Sequence, residues 1–86
     1  MRNYALSPVN TFDVGDEPKQ KVLKPLEEAA EVYGAWQNGD REAMADEIAD
    51  CIQACCNLYA WMGLTQEDVD AAIERCAERN RKRGRL

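Results

Sequence analysis

The chain has 86 residues, 31% of them charged and 45% apolar, with a formal net charge of -5. That length makes one small domain, spanning residues 1–86, whose own core is marginal; the composition excludes wholesale disorder, and the acidic balance argues against a general nucleic-acid binder. No run approaches the roughly 18 apolar residues of a membrane span, and no hydrophobic leader is visible, so a cytoplasmic protein with no membrane partner is expected.

Residues 1–20 contain Pro8, Gly15 and Pro18 and show no helical period, which reads as an arm. Tyr4, Leu6, Val9 and Phe12 give it something to bury, over a pocket or on a neighbouring subunit, with a partly ordered tail as the alternative. A first helix is predicted from Pro18 or Lys19 to Asn38, closed by Gly39, with Pro25 either kinking it or dividing it in two. The second runs from Asp40, a good N-cap, to Met62, with Gly63 closing it. Its apolar residues extend almost all round, so it expects partners on more than one face. The third starts at Thr65 as N-cap and continues to about Arg83, before Gly84. Its apolar stripe is Val69, Ala72, Ile73, Cys76 and Ala77, and the same angular spacing puts Asn80 and Arg83 on it, unlike Arg75, Arg79 and Lys82. The basic C-terminal end has a simpler reading as a solvated helix terminus. With no strand alternation, the expected fold is all-α: a bundle of about three helices plus the arm, completed by oligomerisation.

Two acid pairs dominate this scaffold. Glu28 and Glu31 on the first helix, and Glu47 and Asp50 on the second, each have i,i+3 spacing and so lie one turn apart on the same side. At about 100° per residue, Cys51, Ala54 and Leu58 share the direction of Glu47, while Val32 and Ala35 share that of Glu28. The carboxylates therefore sit within apolar stripes. Four such groups brought together are penalised by desolvation and mutual repulsion, which implies something positive between them, and a hard divalent cation is the economical answer.

Cys51, Cys55, Cys56 and Cys76 occur with no histidine, which excludes a Cys/His zinc site, and their spacing is wrong for a four-Cys one. They read as small buried residues in a reducing compartment, with a redox role as the alternative.

Lys24-x-x-Glu27-Glu28-x-x-Glu31, followed after 15 residues by Glu47-x-x-Asp50, resembles the EExxE, gap, ExxD signature of the MazG-like all-α nucleoside triphosphate pyrophosphatases. Asn80-x-x-Arg83-Gly84 is similar to that family's last helix, so the resemblance runs from about Gln20 to Gly84. It implies Mg2+-dependent cleavage of an NTP or dNTP to the monophosphate and pyrophosphate, in a homodimer or homotetramer, with Mn2+ as a substitute ion. It also implies roles: Glu28, Glu31, Glu47 and Asp50 as metal ligands, Glu27 as a water-orienting neighbour, and Lys24, Asn80 and Arg83 on phosphates. Trp36 would stack on the base, against the simpler reading of both tryptophans as core aromatics. Cys76 departs from the pattern, which has a basic residue one turn before the asparagine, and shifts phosphate binding towards Lys24, Arg79 or Arg83.

Three other readings compete. A phosphoribosyl-nucleotide pyrophosphohydrolase of histidine synthesis has a similar fold and metal logic. A di-iron carboxylate bundle needs Glu-x-x-His pairs, which a chain without histidine lacks. A non-catalytic helical oligomerisation or regulatory module would keep the acids for structure alone.

Overall fold

The computed structural model describes residues 2–15 and 17–86; Met1 and Asp16, both within the expected arm, lie outside the described residues. Among the described residues the structure is three α-helices without strands: α1 Pro18–Gln37, α2 Arg41–Trp61 and α3 Gln66–Lys82. The all-α expectation holds, with α1 beginning inside the stretch read as arm.

The ends of the helices follow local chemistry. Pro18 opens α1, where its fixed φ suits the first turn and its missing N–H is not needed. Asp40 caps α2 by accepting from the Ala43 N–H at 2.9 Å. Thr65 and Asp68 form a reciprocal capping box at α3, with bonds of 3.2 and 2.9 Å. Past α1, the Asp40 N–H reaches the Ala35 carbonyl and the Gly39 N–H the Trp36 carbonyl, a Schellman closure that needs the left-handed φ of +70° at Gly39. The same pair of bonds ends α2 and α3.

Pro25 neither divides α1 nor stops it; the helix is uninterrupted from Pro18 to Gln37. Proline removes the hydrogen bond to the carbonyl four residues back, and packing against α2 on this face offsets that loss. The Cys51 thiol approaches the Pro25 carbonyl at 3.8 Å, which marks how closely α2 lies there.

The Gly39–Asp40 reversal sends α2 back along α1, and these two helices form the packed unit of the chain. By contrast, α3 touches them only marginally. The arm crosses α2 instead: Gln53 donates its side-chain amide to the Asn10 carbonyl at 2.9 Å, and the Phe12 N–H donates to Asn57 Oδ1 at 3.0 Å. These two bonds lay the arm along α2 of its own chain.

Burial within one chain is thin. Ala35 is the one buried apolar residue among those described, while Leu26, Tyr33, Met62 and Ile73 are exposed, the last at 59%. The accessible surface is 7167 Å2, against about 5100 Å2 for a compact monomer of this mass. The radius of gyration, 14.6 Å, likewise exceeds the roughly 12 Å expected for the length. No described helix is long and apolar enough to cross a membrane.

Two glycines of the α1 end should respond oppositely to a methyl group. A Cβ would meet nothing within 4 Å at either Gly34 or Gly39, but only Gly39 has positive φ. Gly39→Ala is expected to lose about 1–2 kcal/mol from left-handed strain, whereas Gly34→Ala, inside a helix, should gain roughly 0.5–1 kcal/mol. Urea midpoints at constant m test this; shifts of the same sign would show that Gly34 is not simply an open helical position.

Candidate metal and nucleotide site

The α1/α2 pairing brings the two acid pairs face to face. Glu28, Glu47 and Asp50 each place one carboxylate oxygen so that all three lie within 4.8 Å of one another. Glu31 lies within hydrogen-bonding reach of both Glu28 and Glu47. Carboxylates this close repel one another, and a proton or a cation between them relieves the repulsion.

The electrostatics record the conflict. Desolvation, then the charges of Glu31 and Asp50, raise the Glu28 pKa above the ordinary carboxylate value, with Lys24 pulling the other way. At Glu47 the contact with Glu31 is the main cause of a raised pKa, followed by desolvation and the charges of Glu31, Asp50 and Glu28. Glu47 Oε2 is buried and has no hydrogen-bond partner among the described residues. Such an atom is normally satisfied in a folded protein. An all-oxygen donor set with an orphaned buried carboxylate oxygen fits a hard divalent cation such as Mg2+.

Glu28 and Asp50 also line a cavity of about 590 Å3 between α1, α2 and the arm. Lys24 lines the same cavity and pairs with Glu27 at 3.3 Å, so Glu27 faces the lysine while the three clustered acids face one another. Farther from the acids the walls are Lys21, Asn57, Leu58 and Trp61 from the helices, with Phe12, Asp13 and Val14 from the arm. Lys21 pairs with Asp13 at 2.8 Å, and its ammonium lies 5.5 Å from the Trp61 ring centre.

Other residues singled out from the sequence lie elsewhere. Trp36 is 61% exposed, stacks on Tyr33 with ring centres 5.7 Å apart, and borders a separate shallow hollow with Gly39, Asp40, Arg41 and Met44. Eight residues separate it from Glu28, about 12 Å along α1 towards the opposite end from Lys21. Asn80 and Arg83 are not among the cavity walls: Asn80 donates to the Cys76 sulfur at 3.7 Å and accepts from Arg85 at 3.3 Å, while Arg83 is the exposed C-cap of α3. Within one chain, then, the structure assembles the acids and Lys24 but leaves Trp36, Asn80 and Arg83 outside.

Sequence reasoning missed the far wall. A signal for part of it exists, because Asp50, Asn57 and Trp61 fall at i, i+7 and i+11, one stripe of α2, and Lys21, Lys24 and Glu28 at i, i+3 and i+7, one stripe of α1. The arm carries no such periodicity. All four cysteines are free, and only Cys51 and Cys56 are half-buried, so the expectation of four buried thiols fails for exposed Cys55 and Cys76. Partial desolvation by its neighbours, with Cys51 and Cys56 beside it, pushes the Cys55 thiol up, away from a reactive thiolate, although its side chain remains exposed.

Comparison with known proteins decides the family. The model of the phosphoribosyl-ATP pyrophosphohydrolase family matches residues 10–80, which take in the arm contacts, both acid pairs and the cavity. The chain belongs to the phosphoribosyl-ATP pyrophosphohydrolase family. A phosphoribosyl-ATP pyrophosphatase of Pelotomaculum thermopropionicum is 43% identical over 72 residues, covering 83% of this chain and 68% of that protein. No solved structure matches. Membership makes the chain a nucleotide pyrophosphohydrolase, which sets aside the non-catalytic module, and it places the MazG-like resemblance in a more specific family than expected.

The raised carboxylates set a pH dependence. A carboxyl whose pKa is higher folded than unfolded binds more protons in the native state, so metal-free stability falls as pH rises through and above the ordinary 4.5 of Glu28 and Glu47. Asp13 and Asp68 are shifted below their ordinary 3.8 and act outside this window. Metal-free wild type should therefore lose Tm as pH rises above the ordinary 4.5 of these carboxyls, Glu47→Gln should lose less, and Mg2+ or Mn2+ should raise the wild-type Tm most where the acids are ionised. Identical pH slopes and identical metal increments in the two proteins would remove Glu47 from the site.

Proposed function

We propose that this chain hydrolyses phosphoribosyl-ATP between the α- and β-phosphates, giving phosphoribosyl-AMP and pyrophosphate, as a step of histidine synthesis in the cytoplasm. The match over residues 10–80 carries this reading, because it includes every wall of the cavity in which the acid cluster and Lys24 lie. It favours the phosphoribosyl-nucleotide alternative over cleavage of a general NTP or dNTP.

Glu28, Glu47 and Asp50 hold Mg2+, or Mn2+ in its place, and Glu31 supports the set through its contacts with Glu28 and Glu47. The ion when bound supplies positive charge to the phosphate oxygens and lowers the pKa of water. The chain's own part is to position and to move a proton. Glu28 borders both the acid cluster and the cavity, so a water approaching the α-phosphorus from this side delivers its proton to that carboxylate. Lys24 meets the triphosphate beside Glu28, and Glu27 orients the lysine rather than the water.

The family reading also accounts for the thin packing. A surface about 2000 Å2 larger than a compact monomer's is the scale that a stable subunit interface removes, so the chain self-associates as a homodimer or homotetramer. Asn80 and Arg83 act on the substrate only through such a partner, since within one chain α3 stays off the cavity. Light scattering at micromolar concentration should give at least twice the 9.7 kDa chain mass; a folded monomer with concentration-independent Tm would count against this assembly.

Pyrophosphate release with Mg2+, from phosphoribosyl-ATP and from a panel of NTPs and dNTPs, tests the activity. Phosphoribosyl-ATP should have the highest kcat/KM, and Asp50→Asn should lower kcat by about 100-fold or more, as loss of an electrostatic stabiliser does. A broad preference among the plain nucleotides would return the general pyrophosphatase reading.

A further inference from the structure

The cavity is lined by two lysines, Lys21 and Lys24, at different distances from the acid cluster along α1. Lys24 is one turn from Glu28. Lys21 is seven residues from Glu28, about 10 Å along α1, and its ammonium lies beside the ring of Trp61, a residue about 16 Å along α2 from Asp50. Because one cavity is lined by Glu28 and Asp50 and also by Lys21 and Trp61, a nucleotide that met the acids with its phosphates and filled the rest of the cavity would extend towards Trp61. Phosphoribosyl-ATP differs from ATP by a ribosyl phosphate, which places a second anionic group at the far end of the molecule from the triphosphate.

Resting on the phosphoribosyl-ATP reading, we propose that Lys21 receives that ribosyl phosphate and is the specificity-determining residue by which this pocket tells phosphoribosyl-ATP from ATP. The side chain of Lys21 is only 13% exposed and is held between Asp13 and the Trp61 face, so little freedom is lost on binding. Its present partner is weakly committed. Asp13 is 68% exposed and sits on the arm, and an ion pair open to solvent contributes little. A phosphate dianion offers more charge and more acceptor oxygens than one carboxylate, so it displaces Asp13 from the ammonium. The arm keeps its other anchors to α2, Asn10 to Gln53 and Phe12 to Asn57, and the cavity wall stays in place during the exchange.

The test is the ratio of kcat/KM for phosphoribosyl-ATP to that for ATP, in the Mg2+-loaded full chain. Lys21→Gln should lower the ratio about tenfold or more, chiefly through KM for phosphoribosyl-ATP, while Lys21→Arg keeps most of it. Lys24→Gln should depress both substrates together. Exposed Lys19, outside the cavity, is the control for diffuse charge, and Lys19→Gln should leave the ratio unchanged. Asp13→Asn breaks the same ion pair but leaves the ammonium, so it should hold the ratio at or above wild type even if Lys21→Gln folds poorly. An unchanged ratio in Lys21→Gln, or a fall in Asp13→Asn matching that of Lys21→Gln, would overturn the assignment, the second by showing that the lysine acts through the arm. Wild type that does not prefer phosphoribosyl-ATP overturns the proposed function itself; a preference that survives Lys21→Gln overturns only the role of Lys21.

Discussion

Mutual repulsion among carboxylates across the α1/α2 contact is the constraint on which the rest of this small structure depends. Helix pairing ordinarily buries apolar side chains on both faces, yet here Glu28 and Glu31 meet Glu47 and Asp50. The turn at Gly39 and Asp40 sets this register, because its Schellman bonds fix where α2 starts relative to the end of α1. One residue more or less in that turn would rotate the facing stripe by about 100° and take the acids apart. The fold thus holds together a group of charges that is unfavourable by itself. A cation held between them would offset that repulsion and add to the stability of the folded chain.

The same constraint explains why the interior is sparse. Part of the interhelical face is given to carboxylates, and what remains buries little beyond Ala35 within one chain. Apolar residues are left on the outside of α1 and along α3, whose stripe meets the hairpin only marginally. A chain of 86 residues has few other places to gain burial. An open hairpin is also what leaves room for a cavity of about 590 Å3 beside the acids, large enough for a nucleotide. The arm closes one side of it through two side-chain amides of α2 rather than through apolar packing.

The grouping of the acids is legible in the sequence. Glu28, Glu31, Glu47 and Asp50 are found together because i,i+3 spacing and the apolar stripes around them are properties of any α-helix, and Lys24 follows at i,i+4 from Glu28. Trp36 shows where such reasoning stops. It is on the correct helix, but nothing in helical periodicity tells which end of α1 opens into the cavity, and the structure opens the Lys21 end. Asn80 and Arg83 illustrate a second limit: their stripe on α3 is real as a pattern, while the surface that it faces is not decided by the pattern.

By itself the sequence determined the three helices, their caps, their closing glycines and the faces on which the acids lie. Each of these depends on residues no more than about four or five positions apart, so short-range sterics and hydrogen bonding decide them. Only the tertiary structure decided that α1 runs unbroken through Pro25, that the arm forms a wall of the cavity, and that Lys21 stands between Asp13 and Trp61. Those outcomes rest on contacts between residues 26 to 45 positions apart, between Cys51 and Pro25, Gln53 and Asn10, and Asn57 and Phe12. Such pairs carry no common period, and they form only where the packing of α1 on α2 has already brought their partners within reach.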